Sequence, residues 1–143
     1  MSVRISATDW VEGGVDCPVS GEIPRAFVHP GADIIHVSTG ETSSAAEPVY
    51  GRMFQTPYSD RIRNEAGVRT IAVGNILTAD QVNAILTAGR ADLCAIGRPH
   101  LSDPNWTLHA AAELGYTGQN WTPSYLPGRR QLERELEKLR SSQ

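Results

Sequence analysis

Residues 92–100 read DLCAIGRPH. Positions 93–96 form a short apolar run of the kind that makes a fully buried strand, and the run breaks at once into glycine, arginine and proline. Residues 70–76, TIAVGNI, behave the same way and stop at Gly74-Asn75. A turn explains one such ending. Two in succession point to a shared ligand at the ends of neighbouring strands.

Working outward, VRIS (3–6) and DIIHVS (33–38) are two more runs of this type, so four strands are expected, with TIAVG (70–74) and LCAIG (93–97) as the third and fourth. All four are continuous and rich in β-branched residues rather than alternating, the pattern of parallel strands covered on both faces. Helical segments lie between them. In TADQVNAILTAG (78–89), Thr78 followed three residues on by Gln81 is a capping box, Val82, Ile85 and Leu86 share a face, and Gly89 suits the C-terminal end. A second helix is expected to start at Thr56-Pro57, to carry Tyr58, Ile62 and Ala66 inward, and to stop at Gly67. A third is expected from Asp103-Pro104 through Leu108, Ala111 and Ala112 to Gly115, with proline at the first helical position in both. The tail RRQLERELEKLR puts Leu132, Leu136 and Leu139 on one stripe, a terminal helix lying on a surface.

The crossover at 12–32 is the irregular part. Pro18, Gly21, Pro24 and Pro30 interrupt it, and an interior proline costs a helix about 3 kcal/mol. A short helix around 22–29 is all that survives. The chain is therefore an α/β alternation of four units, equal to half of a (β/α)8 barrel or to one small doubly wound sheet. In both, ligands gather at the carboxyl ends of the strands.

Composition narrows the class. A chain of 143 residues, 40% hydrophobic and 20% charged, is globular and long enough to bury ~70% of its unfolded surface. A net charge of −3 gives no electrostatic case for nucleic acid or an anionic membrane. No apolar stretch approaches the ~20 residues that span a bilayer, and MSVRISATDW lacks the apolar core of a signal peptide, so the cytoplasm is the default location. Cys17 and Cys94 make no disulfide framework, and His29, His36, His100 and His109 include no pair at metal-ligand spacing, so no metal is expected.

Several residues at the strand ends carry chemistry. Arg4, inside the first strand, is open to two readings: a buried arginine paired with a carboxylate, or a fixed cation with a planar fork of donors aimed at an electron-rich ligand. Ser38-Thr39-Gly40 closes the second strand and lets a ligand approach the backbone. The loop 41–57 that follows is long and carries Tyr50, Arg52, Met53, Phe54 and Gln55, a set suited to a flat ligand. Gly74 and Gly97-Arg98 free backbone N–H groups to surround a phosphate, with Arg98 adding charge.

VRISATDW, DIIHVSTG, TIAVGNI and GRADLCAIGRPHLSDPNWTLHAAAELGY together resemble the C-terminal half of the Old Yellow Enzyme family of FMN-dependent oxidoreductases. More narrowly, YGRMFQTPYSDRIRNEAG (50–67) and DPNWTLHAAAELGY (103–116) resemble the reductase portion of bifunctional salicylyl-CoA or anthraniloyl-CoA (2-aminobenzoyl-CoA) monooxygenases. The resemblance implies a TIM barrel, with strands five to eight in this chain, binding FMN and using NAD(P)H as reductant. It implies that Arg4 contacts the pyrimidine edge of the flavin, where reduction places negative charge. Gly97 and Arg98 match the pair that binds the FMN phosphate, and Gly74 with Asn75 matches the preceding phosphate-side loop. Thr39 and Gly40 match a strand end near the flavin; Gln55 is a weaker match in the loop beside the ring.

The departures are as informative. The family's substrate-anchoring pair, its proton-donating tyrosine and the residues covering the ring belong to the earlier half, so no catalytic residue is assigned here. His36, His100 and His109 do not match those positions. The resemblance therefore leads us to expect a partial FMN-binding barrel domain over 1–128, an amphipathic tail over 129–143, and a fragment incomplete as a catalyst. Half a closed barrel leaves edges and an interior face exposed, so a complementary N-terminal half-barrel or a second copy is expected as partner. The resemblance implies a small-molecule substrate, with an aromatic CoA thioester implied by the narrower likeness. The rival reading is a non-catalytic half-barrel binding a phosphate-bearing ligand or a partner half; a doubly wound domain is disfavoured because no G-x-G-x-x-G follows a strand.

Overall fold

The computed structural model describes residues 1–16, 22–40 and 42–142. Cys17, Pro18 and Gly21 of the crossover, Glu41 at the head of the long loop, and Gln143 lie outside them. The chain divides into two compact units, residues 1–96 and 97–143.

In the first unit the order is β1 (Ser2–Ser6), α1 (Glu22–Val28), β2 (Ile34–Ser38), α2 (Thr56–Ala66), β3 (Thr70–Ala72), α3 (Ala79–Thr87) and β4 (Leu93–Cys94). All three strand pairings are parallel, in the sheet order β1-β2-β3-β4. This is an α/β fold with a four-stranded parallel sheet, consistent with part of a TIM barrel. The short helix at the crossover forms as expected. The expected strands 70–74 and 93–97 are shorter as built, although Ala95 N–H still donates to Ala72 O at 2.8 Å.

The two faces of the sheet differ. Ile5, Ile35, Val37 and Ala72 lie on the face that packs under the helices, with Val28, Ile62 and Ile85 contributed from α1, α2 and α3. The register lines up Arg4, His36, Ile71 and Leu93 on the opposite face. There Arg4 is exposed, His36 and Ile71 are half-buried, and Leu93 is 54% exposed. The continuous apolar runs predict two covered faces; among the described residues one is covered and the other only in part.

Local signals explain the helix ends. Gly67 ends α2 with φ +69°. In α3 the Thr78 hydroxyl accepts from Gln81 N–H at 3.3 Å, half of the expected box. Gln81 Oε1 reaches one residue further back than expected, to Leu77 N–H at 2.8 Å. After α3, Gly89 N–H donates to Leu86 O and Arg90 N–H to Ile85 O, so two end carbonyls are satisfied while glycine takes the left-handed turn.

The second unit contains α4 (Arg98–Ser102), α5 (Trp106–Glu113), a 3-10 turn (Pro123–Tyr125) and α6 (Leu126–Ser141). Here Asp103-Pro104 does not open the helix. The Asp103 carbonyl accepts from Trp106 N–H at 3.0 Å and its carboxylate from Asn105 N–H at 2.9 Å, so the dipeptide forms a turn and the helix starts at Trp106. Helix α4 is too short to show a periodicity, which is why the sequence does not announce it. Helix α6 starts at Leu126, so residue 128 falls inside it. Leu132 and Leu136 are half-buried, whereas Leu139 is 62% exposed. Arg140 ties α6 to the end of α5 by donating to Glu113 O at 2.7 Å.

Candidate functional site

The carboxyl ends of β1, β2 and β3 form a connected rim in the first unit. Arg4 sits opposite His36 in the register, but its Nε donates to the Ser38 hydroxyl at 3.0 Å. Ser38 is level with Ser6, two residues nearer the strand ends. The guanidinium therefore leans toward the rim. Ser38 in turn donates to Ile5 O at 3.0 Å. Arg4 is not the carboxylate-paired buried arginine that was one of its two readings: it is exposed, and among the described residues no acidic partner approaches it.

Thr39 and Gly40 continue from Ser38. Thr39 is clasped through its backbone, its N–H donating to Gln55 Oε1 at 3.1 Å and its carbonyl accepting from Gln55 Nε2 at 3.4 Å. Its own hydroxyl is buried and without a partner among the described residues. Gly40 has φ +109°, and its N–H donates to the Ser6 hydroxyl at 3.4 Å. Gly74 lies against Gln55 rather than against open space. Asn75, at φ +53°, donates from its side-chain amide to Gly51 O at 3.0 Å and accepts at its carbonyl from Met53 N–H at 3.2 Å. It staples the long loop to the end of β3.

Arg4, Thr39, Gly40, Gly74 and Asn75 are thus brought to one rim, knitted by Gln55 and Ser38. Among the described residues three non-glycine positions with positive φ, Trp10, Met53 and Asn75, lie in the loops that follow the strands, and such backbone strain persists only where surroundings enforce it. The Trp10 and Tyr58 rings meet edge to face at 5.9 Å. The loops after β1 and β2 are also joined, since Thr42 Oγ1 donates to Asp9 at 2.7 Å and holds that carboxyl below its ordinary pKa.

Gly97 and Arg98 belong to the second unit and open it. Within that unit a Cβ at position 97 would meet nothing within 4 Å, so packing does not demand the glycine. Arg98 is exposed, and its side chain makes no hydrogen bond or ion pair with the described residues of its unit. The Gly97 carbonyl accepts from His100 N–H at 3.0 Å; the exposed Arg98 fork beside it suits an anionic group.

Chemically the first-unit rim offers a permanent cation with one nitrogen held and its terminal nitrogens unengaged by the described residues, beside small hydroxyl and glycine positions. That set fits a planar ligand edge carrying acceptor atoms. Burial, with Arg4 second, pushes His36 below its ordinary pKa of 6.5, so it adds no competing cation at neutral pH.

The profile of the NADH:flavin oxidoreductase / NADH oxidase family matches residues 1–116. The chain belongs to that family. An NADPH dehydrogenase of Listeria monocytogenes is 38% identical over 115 residues, covering 80% of this chain and 34% of that protein. NADPH dehydrogenases of Halalkalibacterium halodurans and Geobacillus thermodenitrificans are each 39% identical, over 115 and 113 residues, covering 80% and 79% of this chain and 34% and 33% of those proteins. The chain thus spans about a third of the length of these relatives. Membership implies FMN as cofactor. Among the described residues no helix is long and apolar enough to cross a membrane.

Ser38 and Gln55 gain weight in this family member from contacts the sequence does not announce. In sequence Ser38 is only the small residue that closes the second strand; the strand register places it diagonally from Arg4.

Proposed function

We propose that this chain is the flavin-holding part of an NAD(P)H-dependent oxidoreductase that reduces an activated small molecule in the manner of an ene-reductase. The observation that carries the reading is Arg4, whose Nε is held by Ser38 at 3.0 Å while the rest of the fork stays unengaged among the described residues. FMN, when bound, supplies the two-electron chemistry that connects NAD(P)H to substrate. Arg4 holds the pyrimidine edge and keeps a permanent positive charge against it. Thr39 and Gly40 line the approach beside it, and the unpartnered Thr39 hydroxyl supports that role. Gly97 and Arg98 take the phosphate; Gly74 and Asn75 form the phosphate-side loop that precedes them.

The remaining parts of the reading concern what the chain works with. The narrower likeness of residues 50–67 and 103–116 supports an aromatic CoA thioester as substrate class. The part-covered row Arg4, His36, Ile71 and Leu93, with β1 and β4 each paired on one side only among the described residues, supports a complementary N-terminal half-barrel as partner. The chain alone then binds FMN without completing turnover, in a cytoplasmic setting.

The test is FMN titration of the purified chain by flavin fluorescence, followed by NAD(P)H oxidation with and without an N-terminal half supplied in trans. FMN binding weakened by both Arg4→Ala and Arg98→Ala, with oxidation appearing only on addition of the other half, is expected. Unchanged binding in both variants sinks the site assignment. Binding without any oxidation in the reassembled pair selects the non-catalytic alternative.

A further inference from the structure

The Arg4–Ser38 contact reaches beyond a single hydrogen bond. The two residues are 34 apart in sequence, and their strands are adjacent and parallel. The hydroxyl of Ser38 accepts from Arg4 Nε at 3.0 Å and spends its only proton on Ile5 O at 3.0 Å. Ile5 is the residue that follows Arg4, so the relay closes back onto the strand that carries the arginine. Ser38 is 7% exposed, and its oxygen is held by the backbone rather than by solvent. A guanidinium is rigid and planar, so fixing Nε fixes the plane of both terminal nitrogens.

We propose that Ser38 is a positioning residue that sets the plane of the Arg4 fork toward the flavin. This rests on the reading of Arg4 as the flavin contact. A long arginine side chain otherwise loses substantial rotamer freedom when it binds; the relay removes that freedom before the ligand arrives.

The full chain, titrated with FMN, tests it. Ser38→Ala is expected to weaken binding about tenfold, with Ser38→Thr restoring most of it. Arg4→Lys, which keeps the charge but has no Nε to anchor a fork, is expected to bind as poorly as Ser38→Ala. In parallel, the Arg4 Nε–H resonance of the ligand-free chain should exchange slowly in the wild type and in Ser38→Thr, and fast in Ser38→Ala. Wild-type affinity in Ser38→Ala or Arg4→Lys, while Arg4→Ala binds weakly, overturns the role of Ser38. Wild-type affinity in Arg4→Ala, or no FMN binding by the wild type, instead overturns the reading of Arg4; the exchange rates then decide Ser38 alone, and equal rates in wild type and Ser38→Ala overturn it.

Discussion

Gly74 and Gln55 compete for the same space: a Cβ on residue 74 would stand 2.7 Å from Gln55 Cγ and 2.8 Å from its Cδ. The glycine therefore lets Gln55 reach across and clasp Thr39. The end of β3 and the end of β2 are locked together by a residue from the loop between them.

Gly74→Ala should consequently be costly. The backbone there has φ +105°, a region that L side chains avoid, and the new methyl displaces Gln55. A loss of roughly 2–3 kcal/mol is expected from strain and overpacking combined. Denaturant unfolding of Gly74→Ala, Gln55→Ala and the double variant checks it. The double variant should be less destabilised than the sum of the singles, because removing Gln55 relieves the clash but not the strain.

Helix α3 depends on its ends. Thr78→Ala removes the hydroxyl that accepts from Gln81 N–H, with an expected loss of about 1 kcal/mol. Gly89→Ala places a Cβ at φ +65° and should cost about 1 kcal/mol. The sites lie at opposite ends of the helix, so thermal or urea unfolding of the double variant should give additive losses.

Burial pushes the Cys94 thiol up to about 11 from its ordinary 9.0. The unfolded chain gives up this proton near 9.0 and the folded chain near 11, so the folded state binds the extra proton in between. Its contribution to stability is complete below pH 9.0 and is lost as pH rises through about 11. Tyr58, raised by burial and then by Asp16, acts in the same direction. Alkaline unfolding of Cys94→Ala should therefore show a shallower fall than the wild type but retain part of it.

His36 titrates on the other side. Burial first, then Arg4, lowers it from 6.5. Its contribution is present above pH 6.5 and is lost as pH falls through the depressed value. Proton NMR of the imidazole should give a midpoint below 6.5. Arg4→Ala should move that midpoint up without returning it to 6.5, since burial is the larger cause; a full return would contradict that order.

Much of the first unit was legible before the structure. Apolar runs of β-branched residues located all four strands, and Gly67 and Gly89 marked helix ends because few other residues turn a chain left-handed cheaply. Where prediction failed, a local competitor won. Asp103 used its own carbonyl and carboxylate to build a turn, so proline did not open the helix. Gln81 bonded Leu77 rather than Thr78 because a flexible amide takes whichever N–H its rotamer reaches.

The candidate site was legible by residue type but not by contact. Arg4, Thr39, Gly40, Gly74, Asn75, Gly97 and Arg98 stand out in one dimension because charge, small size and backbone freedom are properties of single residues. Gly74 shows the limit: its sequence marks free backbone, and only the fold reveals that Gln55 lies where a Cβ would stand. The alternation of strands and helices and the membership of a flavin oxidoreductase family belong to the sequence itself, since both rest on short-range pattern. Only the tertiary structure decided that Arg4 leans on Ser38 and that one sheet face is covered only in part. Both follow from strand register, which a sequence of separate strands does not contain: a shift of one residue would turn every one of these side chains to the other face.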